Sequence, residues 1–447
     1  MSRHRTLRSP ALPALVLVLS LAVGRASAHP VGVSRFDAPL PLWVVLAGAG
    51  ATVALTAVAL AVVGEPTRRS STLATIPTRV LDRAGRVASL LFLLVVGAAV
   101  ADGLLGPQTP LSNLATLFVW SLWLKGIGLV AILAGSPWRA LSPWRTLYRG
   151  LCRLEGEPIG RWSYPSALGS WPALVGVVVL VGVVDNLTVL PRSPAGTARV
   201  VGAYGAVMLA GALAFGGQWL DRADPLAVLY RLLGRVAPLA LERDGERTRL
   251  LARPPWRESA RPVADTAAAA VVVAAVYTVS FDGFAVTGTY QSVLAAVREA
   301  TGVGPTVSVA VYLAGLALFL VTFWLVAHFV RVAGVERPVV SVAPTVVPIA
   351  AAYELAHNYP YVLASAGRLP ATVGLAAVEP LAWLSVPAFW ASQVLLIVGG
   401  HLVGVVAAHR VVSRAERSTL RAHAPLVVLM VGYTVLSLWI VSRPVVA

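Results

Sequence analysis

Apolar residues in this chain come in long unbroken runs, not in strict alternation and not as one-sided helical stripes. After residue 40, ten runs approach or exceed the length needed to cross a membrane, at about 41–63, 87–106, 114–134, 171–190, 197–217, 263–284, 306–330, 339–364, 386–409 and 424–442. A hydrocarbon core of ~30 Å at 1.5 Å per residue takes about 20 residues of helix. Lipid offers backbone groups no hydrogen bonds, so runs of this length must be helical. The valine-rich "VGVVVLVGVV" is therefore expected to be helix despite its β-branched content. The predicted fold class is all-α, a polytopic transmembrane helix bundle.

The first 28 residues follow a different pattern. "MSRHRTLRSP" is basic, "ALPALVLVLSLAVG" is apolar, and Ala26-Ser27-Ala28 fits a small-x-small cleavage site. A signal peptide over 1–28 is expected, with an uncleaved anchor as the alternative. Cleavage would make His29 the first residue of a single transmembrane domain over 29–447.

Arginine placement orients the runs. The alternate loops 64–86, 135–170, 218–262, 331–338 and 410–423 hold 25 arginines, whereas the remaining segments of the mature chain hold six. The positive-inside rule then puts the arginine-rich loops in the cytoplasm and both mature termini outside a cell membrane. Composition agrees: 57% of residues are hydrophobic, 13% are charged and the mean hydropathy is +0.77. The net charge of +16 sits in short inter-helix segments and offers no continuous basic face, which excludes nucleic acid as a partner. The lipid bilayer is the expected partner, with further membrane proteins open. The single Cys152 leaves no intramolecular disulfide and no thiolate metal cluster.

Two loops carry patterns of their own. "DPLAVLYRLLGRVAPLAL" (224–241) spaces leucines for a short helix on the inner membrane surface, with a solvated linker as the alternative. "SPWRALSPWRTL" (136–147) repeats a Pro-Trp-Arg turn, which would set Trp138 and Trp144 at headgroup level. Gly400-x-x-x-Gly404 has the spacing that lets two helices approach closely.

Polar residues inside the runs carry the candidate chemistry. A charge at the bilayer centre costs about 2.5–3.5 kcal/mol on insertion scales, so those retained face other helices or a cavity. Lys125, the sole lysine, falls mid-run and cannot snorkel about 15 Å to an interface. A Lys125–Glu354 pair would keep both charges. Glu354, His357, Asn358 and Tyr361 share one helical face. Pro344, Pro348 and Pro360 in the same run predict a kinked helix. Asp102, Asp185, Asn186, Asp282 and Gln393 fall in the outer halves of their runs, and His401 slightly inward of centre.

Lys125, Asp282, Glu354, His357, Asn358, Tyr361 and His401 are thus the candidates for lining a cavity that takes a solute, an ion or a proton. The alternative for the whole set is a hydrogen-bonded cluster that only holds the bundle together. Carboxylates with imidazole also suit a divalent metal ion such as Zn(II) or Cu(II), and an N-terminal His29 would offer copper its amine and ring together. No HExxH, CxxC or Gly-x-Ser-x-Gly motif occurs.

Several stretches resemble a known family: Pro-Trp-Arg at 143–145, "FDGF" at 281–284, "VPIAAAYELAH" at 347–357, "GHLVGVVAAHR" at 400–410, and a histidine, His29, after an Ala-x-Ala signal. The chain is similar in these to prokaryotic multi-spanning membrane proteins labelled fenitrothion hydrolase-like. It departs from them at Ser142, where Asn is expected, and at Arg410, where Asp is expected. The resemblance implies organophosphate ester hydrolysis but brings no catalytic residues. Four readings follow: a permease-like or solute-binding protein with a polar cavity in its outer half, a membrane-embedded and metal-assisted ester hydrolase, a copper-handling protein using His29, and a non-catalytic subunit of a membrane complex.

Overall fold

The structure is a computed structural model that describes residues 41–63, 69–331, 334–414 and 420–443. The expected signal segment and His29 lie outside the described residues. Within them, ten helices are long and apolar enough to cross a membrane. They run Leu42–Val62, Thr78–Leu105, Leu114–Ala134, Ser166–Asp185, Pro194–Phe215, Thr266–Ala285, Val307–Arg331, Pro338–Val373, Val386–Val412 and Ala424–Val441, and are called the first to tenth spans. The all-α polytopic expectation holds. The valine-rich stretch is helix, as the lipid argument requires.

Two spans outrun their apolar cores. The second begins at Thr78, adding two polar turns, "TRVLDRAGR", that hydropathy does not register. The eighth is broken in the way its prolines dictate. A short helix, Pro338–Val342, gives way to a tighter 3₁₀ turn over Ala343–Val346 containing Pro344, and the main helix Val347–Arg368 follows with Pro348 in its first turn and Pro360 inside.

Burial sorts the spans. In the third, sixth and eighth, 72%, 83% and 72% of the most apolar window is buried, against 22%, 22% and 17% in the first, second and seventh. The outer spans present Leu55, Val58, Leu91, Leu94, Leu318 and Val321 outward, as a lipid-facing surface should. The inner spans carry Lys125, Asp282 and Glu354. Close packing follows glycine: a Cβ at Gly400 would lie 2.6 Å from the Pro348 carbonyl oxygen and 2.2 Å from the Ala352 Cβ, so the eighth and ninth spans meet backbone to backbone there.

The arginine-rich loops are more structured than the sequence suggested. Ser71–Pro77 (β1), Leu239–Asp244 (β2) and Arg247–Ala252 (β3) form an antiparallel sheet in the order β1-β3-β2. The β2–β3 hairpin turns at Gly245, whose φ of +57° favours glycine. Thr78 and Thr248 share a buried hydroxyl–hydroxyl hydrogen bond of 3.0 Å beneath it. This sheet marks one end of the bundle, hereafter the sheet end.

Two loop expectations are corrected. The helix within 224–241 runs Pro225–Leu233 and does not lie on a membrane surface: Leu226, Val228, Leu229, Tyr230, Leu232 and Leu233 are all buried in the bundle. Its apolar face packs against the third and fourth spans, and the Tyr230 hydroxyl donates to the Trp123 and Leu124 carbonyls at 3.0 and 2.9 Å. After it come a 3₁₀ turn over Gly234–Val236 and then β2.

Trp138 and Trp144 do not anchor at headgroups either, for both are buried, with Trp138 stacked on Trp123 at 5.6 Å between ring centres. For Trp138 the reason is Asp224, a buried carboxylate that caps the Pro225–Leu233 helix and accepts from Trp138 Nε1 at 2.8 Å and the Tyr204 hydroxyl at 2.5 Å. Burial pushes the Asp224 carboxyl above its ordinary value, against the pull of these donors. An indole N–H drawn to a buried acid is better satisfied than one left in the interface.

Candidate functional site

The third and fourth spans are locally underwound into π form, and each π segment holds a charged residue at its end. Leu117–Gly126 of the third span contains Lys125, and Val178–Asp185 of the fourth span ends on Asp185. The signature is direct in the third span, where the Ile127 N–H reaches back to the Leu122 carbonyl, five residues earlier. Such wide turns are rare, and they concentrate where a side chain must be aimed off the α-helical phase. Gly182 lies within the second of them because the Tyr312 ring leaves a Cβ no room.

Lys125 sits near the middle of its span, and its Nζ lies 3.2 Å from Asp185 Oδ2 and 3.8 Å from Asp282 Oδ2. The same Asp282 oxygen lies 3.4 Å from His357 Nε2. The Lys125, Asp185 and Asp282 side chains are only 3%, 1% and 3% exposed, whereas His357 is 20% exposed. One carboxylate oxygen is thus shared between an ammonium and an imidazole, and the imidazole alone opens outward. Tyr353 packs beside it, with ring centres 5.9 Å apart.

Glu354, one turn from His357 toward the sheet end, lines a cavity of about 30 Å³ together with Lys125, Gly128, Thr278 and Tyr230. That is room for about one or two waters and far below the ~300 Å³ at which pockets for organic ligands begin. The cavity lies to the sheet side of the charges. Gly128, Val177, Ala275 and Ala350, which line it, each stand on the sheet side of Lys125, Asp185, Asp282 and Glu354 on their own helices.

The expected Lys125–Glu354 pairing is part of a larger set, in which Glu354 attracts Lys125 alongside two closer acids. The ion pairs of Lys125 within 4 Å go to Asp185 and Asp282 on the fourth and sixth spans, while Glu354 lines the same cavity and attracts it from further off. Tyr361 is half-buried and close enough to Asp185 and Lys125 to feel both charges. Two candidates stand apart. Asn358 is buried, with its Nδ2 outside any hydrogen bond among the described residues. His401 is buried in the ninth span, where its Nδ1 meets the Ile397 carbonyl at 2.8 Å, with no ion pair to the cluster among the described residues.

Asp185 is the residue that sequence reasoning underweighted. It falls in the outer half of its run like Asp102 and Gln393, yet it ends a wide-turn helix and lies 3.2 Å from Lys125. The usable signal was Lys125 itself, since a mid-membrane ammonium calls for more than one carboxylate.

The cluster counts three carboxylates, Asp185, Asp282 and Glu354, against one ammonium and one imidazole. Among the described residues, no group of three or more His, Cys, Asp or Glu side chains is placed to hold a metal ion. Lys125 Nζ fills the place between Asp185 and Asp282 where a cation would sit. No protein-family model, curated protein or solved structure matches this chain.

Proposed function

We propose that this chain is a permease-like protein that moves a small ion or polar solute through its centre, with Lys125, Asp185, Asp282, Glu354 and His357 as its binding element. The carrying observation is the excess of acid: a bridge that only held helices together would need one carboxylate for its lysine, and this one has three. Buried ion pairs contribute little net stability, and intramembrane ionisable groups mark ion and proton pathways. The positive-inside rule assigns the sheet end to the cytoplasm and both termini to the outside of a cell membrane. His357 then opens outward, and the Glu354 cavity lies inward.

The test is flux. Protein reconstituted in liposomes is assayed electrically with imposed gradients of protons, alkali cations and small organic ions. Wild type is expected to give a current that Lys125→Met and Asp282→Asn each reduce at least tenfold. No current under any gradient, from protein shown to be folded, overturns the reading.

A second reading has one observation in its favour. The Asp282–His357 contact of 3.4 Å is the arrangement in which a carboxylate orients an imidazole as a general base, and the family resemblance implies ester hydrolysis. Turnover of phosphotriesters by purified protein, with and without chelator, decides it, and no turnover with any added metal removes it.

A further inference from the structure

We infer that the cluster is a two-port proton relay, in which His357 takes a proton at one end, Glu354 yields it into the sheet-end cavity, and Asp282 is the station shared between them. The inference rests on the permease reading for its direction but not for proton binding itself. Its basis is the single Asp282 oxygen lying 3.4 Å from His357 Nε2 and 3.8 Å from Lys125 Nζ. Two cationic groups compete for one acceptor, so the charge on His357 decides how firmly Lys125 is held. Lys125 has a second acid, Asp185, at 3.2 Å and a third, Glu354, across the cavity.

The charge balance among these described groups favours a bound proton. With every carboxylate ionised and His357 neutral, the five groups sum to −2, and protonating His357 still leaves −1. Three carboxylates facing one ammonium and one imidazole leave acceptors to spare, which suits the cluster to hold protons. The cavity admits water but no larger ligand, which makes a proton the fitting occupant.

Each packed element contributes the groups that face the relay. The third span supplies Lys125, the fourth Asp185, the sixth Asp282, the eighth Tyr353, Glu354, His357 and Tyr361, and the Pro225–Leu233 helix Tyr230. The transfer balances. A proton from outside water joins His357 Nδ1 while the Nε2 proton passes to Asp282. Asp282 returns its proton to Lys125 as the ammonium gives one, through cavity water, to the Glu354 carboxylate. Glu354 releases it to water at the sheet end, Asp282 and Lys125 are restored, and His357, left as its Nδ1–H tautomer, regains the Nε2–H form by proton exchange with outside water.

Two measurements on the full-length protein test this. The first is infrared difference spectroscopy between acid and neutral pH, which reads carboxylic C=O bands that shift in D₂O. The second is dye-reported decay of a proton gradient across liposomes. Wild type should show the bands and the decay. Glu354→Gln should keep an Asp282 band, lost in Asp282→Asn, and slow the decay at least tenfold. Glu354→Asp, which keeps the acid, should recover most of it. His357→Gln should slow the decay comparably while leaving the fold intact by circular dichroism.

Bands without gradient decay in wild type would overturn the relay. An ion flux that persists with no titrating band and no proton movement would also overturn it, and leave the permease reading standing.

Discussion

Replacing Lys125 by Met removes the only ammonium in the cluster while keeping its length and most of its volume. At an effective dielectric of ~20, unit charges at 3.2 and 3.8 Å attract by about 5 and 4 kcal/mol, and the wild type offsets most of that with the cost of holding the ammonium out of water. The variant sheds the offsetting cost but abandons two acids that are almost wholly buried. The net loss is expected to be about 3–5 kcal/mol at neutral pH, the usual result of breaking a buried pair from one side. Unfolding of purified protein in mixed micelles by a denaturing detergent, followed by tryptophan fluorescence, measures it. Acid should shrink the gap from wild type, since protons then neutralise the abandoned carboxylates. The triple variant Lys125→Met, Asp185→Asn, Asp282→Asn should recover to within about 1 kcal/mol of wild type, because neutral side chains of similar volume replace the ions. A single variant as stable as wild type, or a triple variant no better than the single, refutes the electrostatic account.

Gly400→Ala drives a methyl into the Pro348 carbonyl and the Ala352 Cβ, and should cost about 1–3 kcal/mol in the same unfolding assay, while Gly399→Ala, which meets nothing, should be near neutral. Asp224→Ala leaves the Trp138 N–H and the Tyr204 hydroxyl without their acceptor and uncaps the Pro225–Leu233 helix, for an expected loss of about 2–4 kcal/mol by thermal melting. Tyr230→Phe removes the hydroxyl shared by the Trp123 and Leu124 carbonyls and should cost about 0.5–1.5 kcal/mol, with faster amide exchange in the π segment below it.

The helices were readable from residue type alone because one constraint, the lack of water in lipid, overrides local propensity throughout the apolar runs. That logic reached Lys125, Asp282, Glu354 and His357, since each is a charge or titratable group where oil should be. It did not reach the pairing. Which carboxylate meets Lys125 depends on where a helix widens by one residue per turn, and "LFVWSLWLKG" carries no compositional mark of that. The loops failed for a different reason. An amphipathic leucine pattern says only that one face leaves water, not whether it enters lipid or protein, so the Pro225–Leu233 helix was assigned to the wrong apolar phase. The placement of Trp138 failed likewise, because the buried acid that claims it, Asp224, lies 86 residues further along the chain.

The small sheet also sets a timetable for assembly. Its threonine pair joins residues 170 positions apart, bringing β3 to a strand made long before it. At about 5–20 residues per second of synthesis, β1 waits roughly 10–30 s with both edges bare before its neighbour leaves the ribosome. During that interval the second to fifth spans are laid into the membrane, and the entrance to the second span is held by nothing from the sheet. The nascent protein therefore passes through a long adolescence in which its first helices are inserted but not yet tied to the rest.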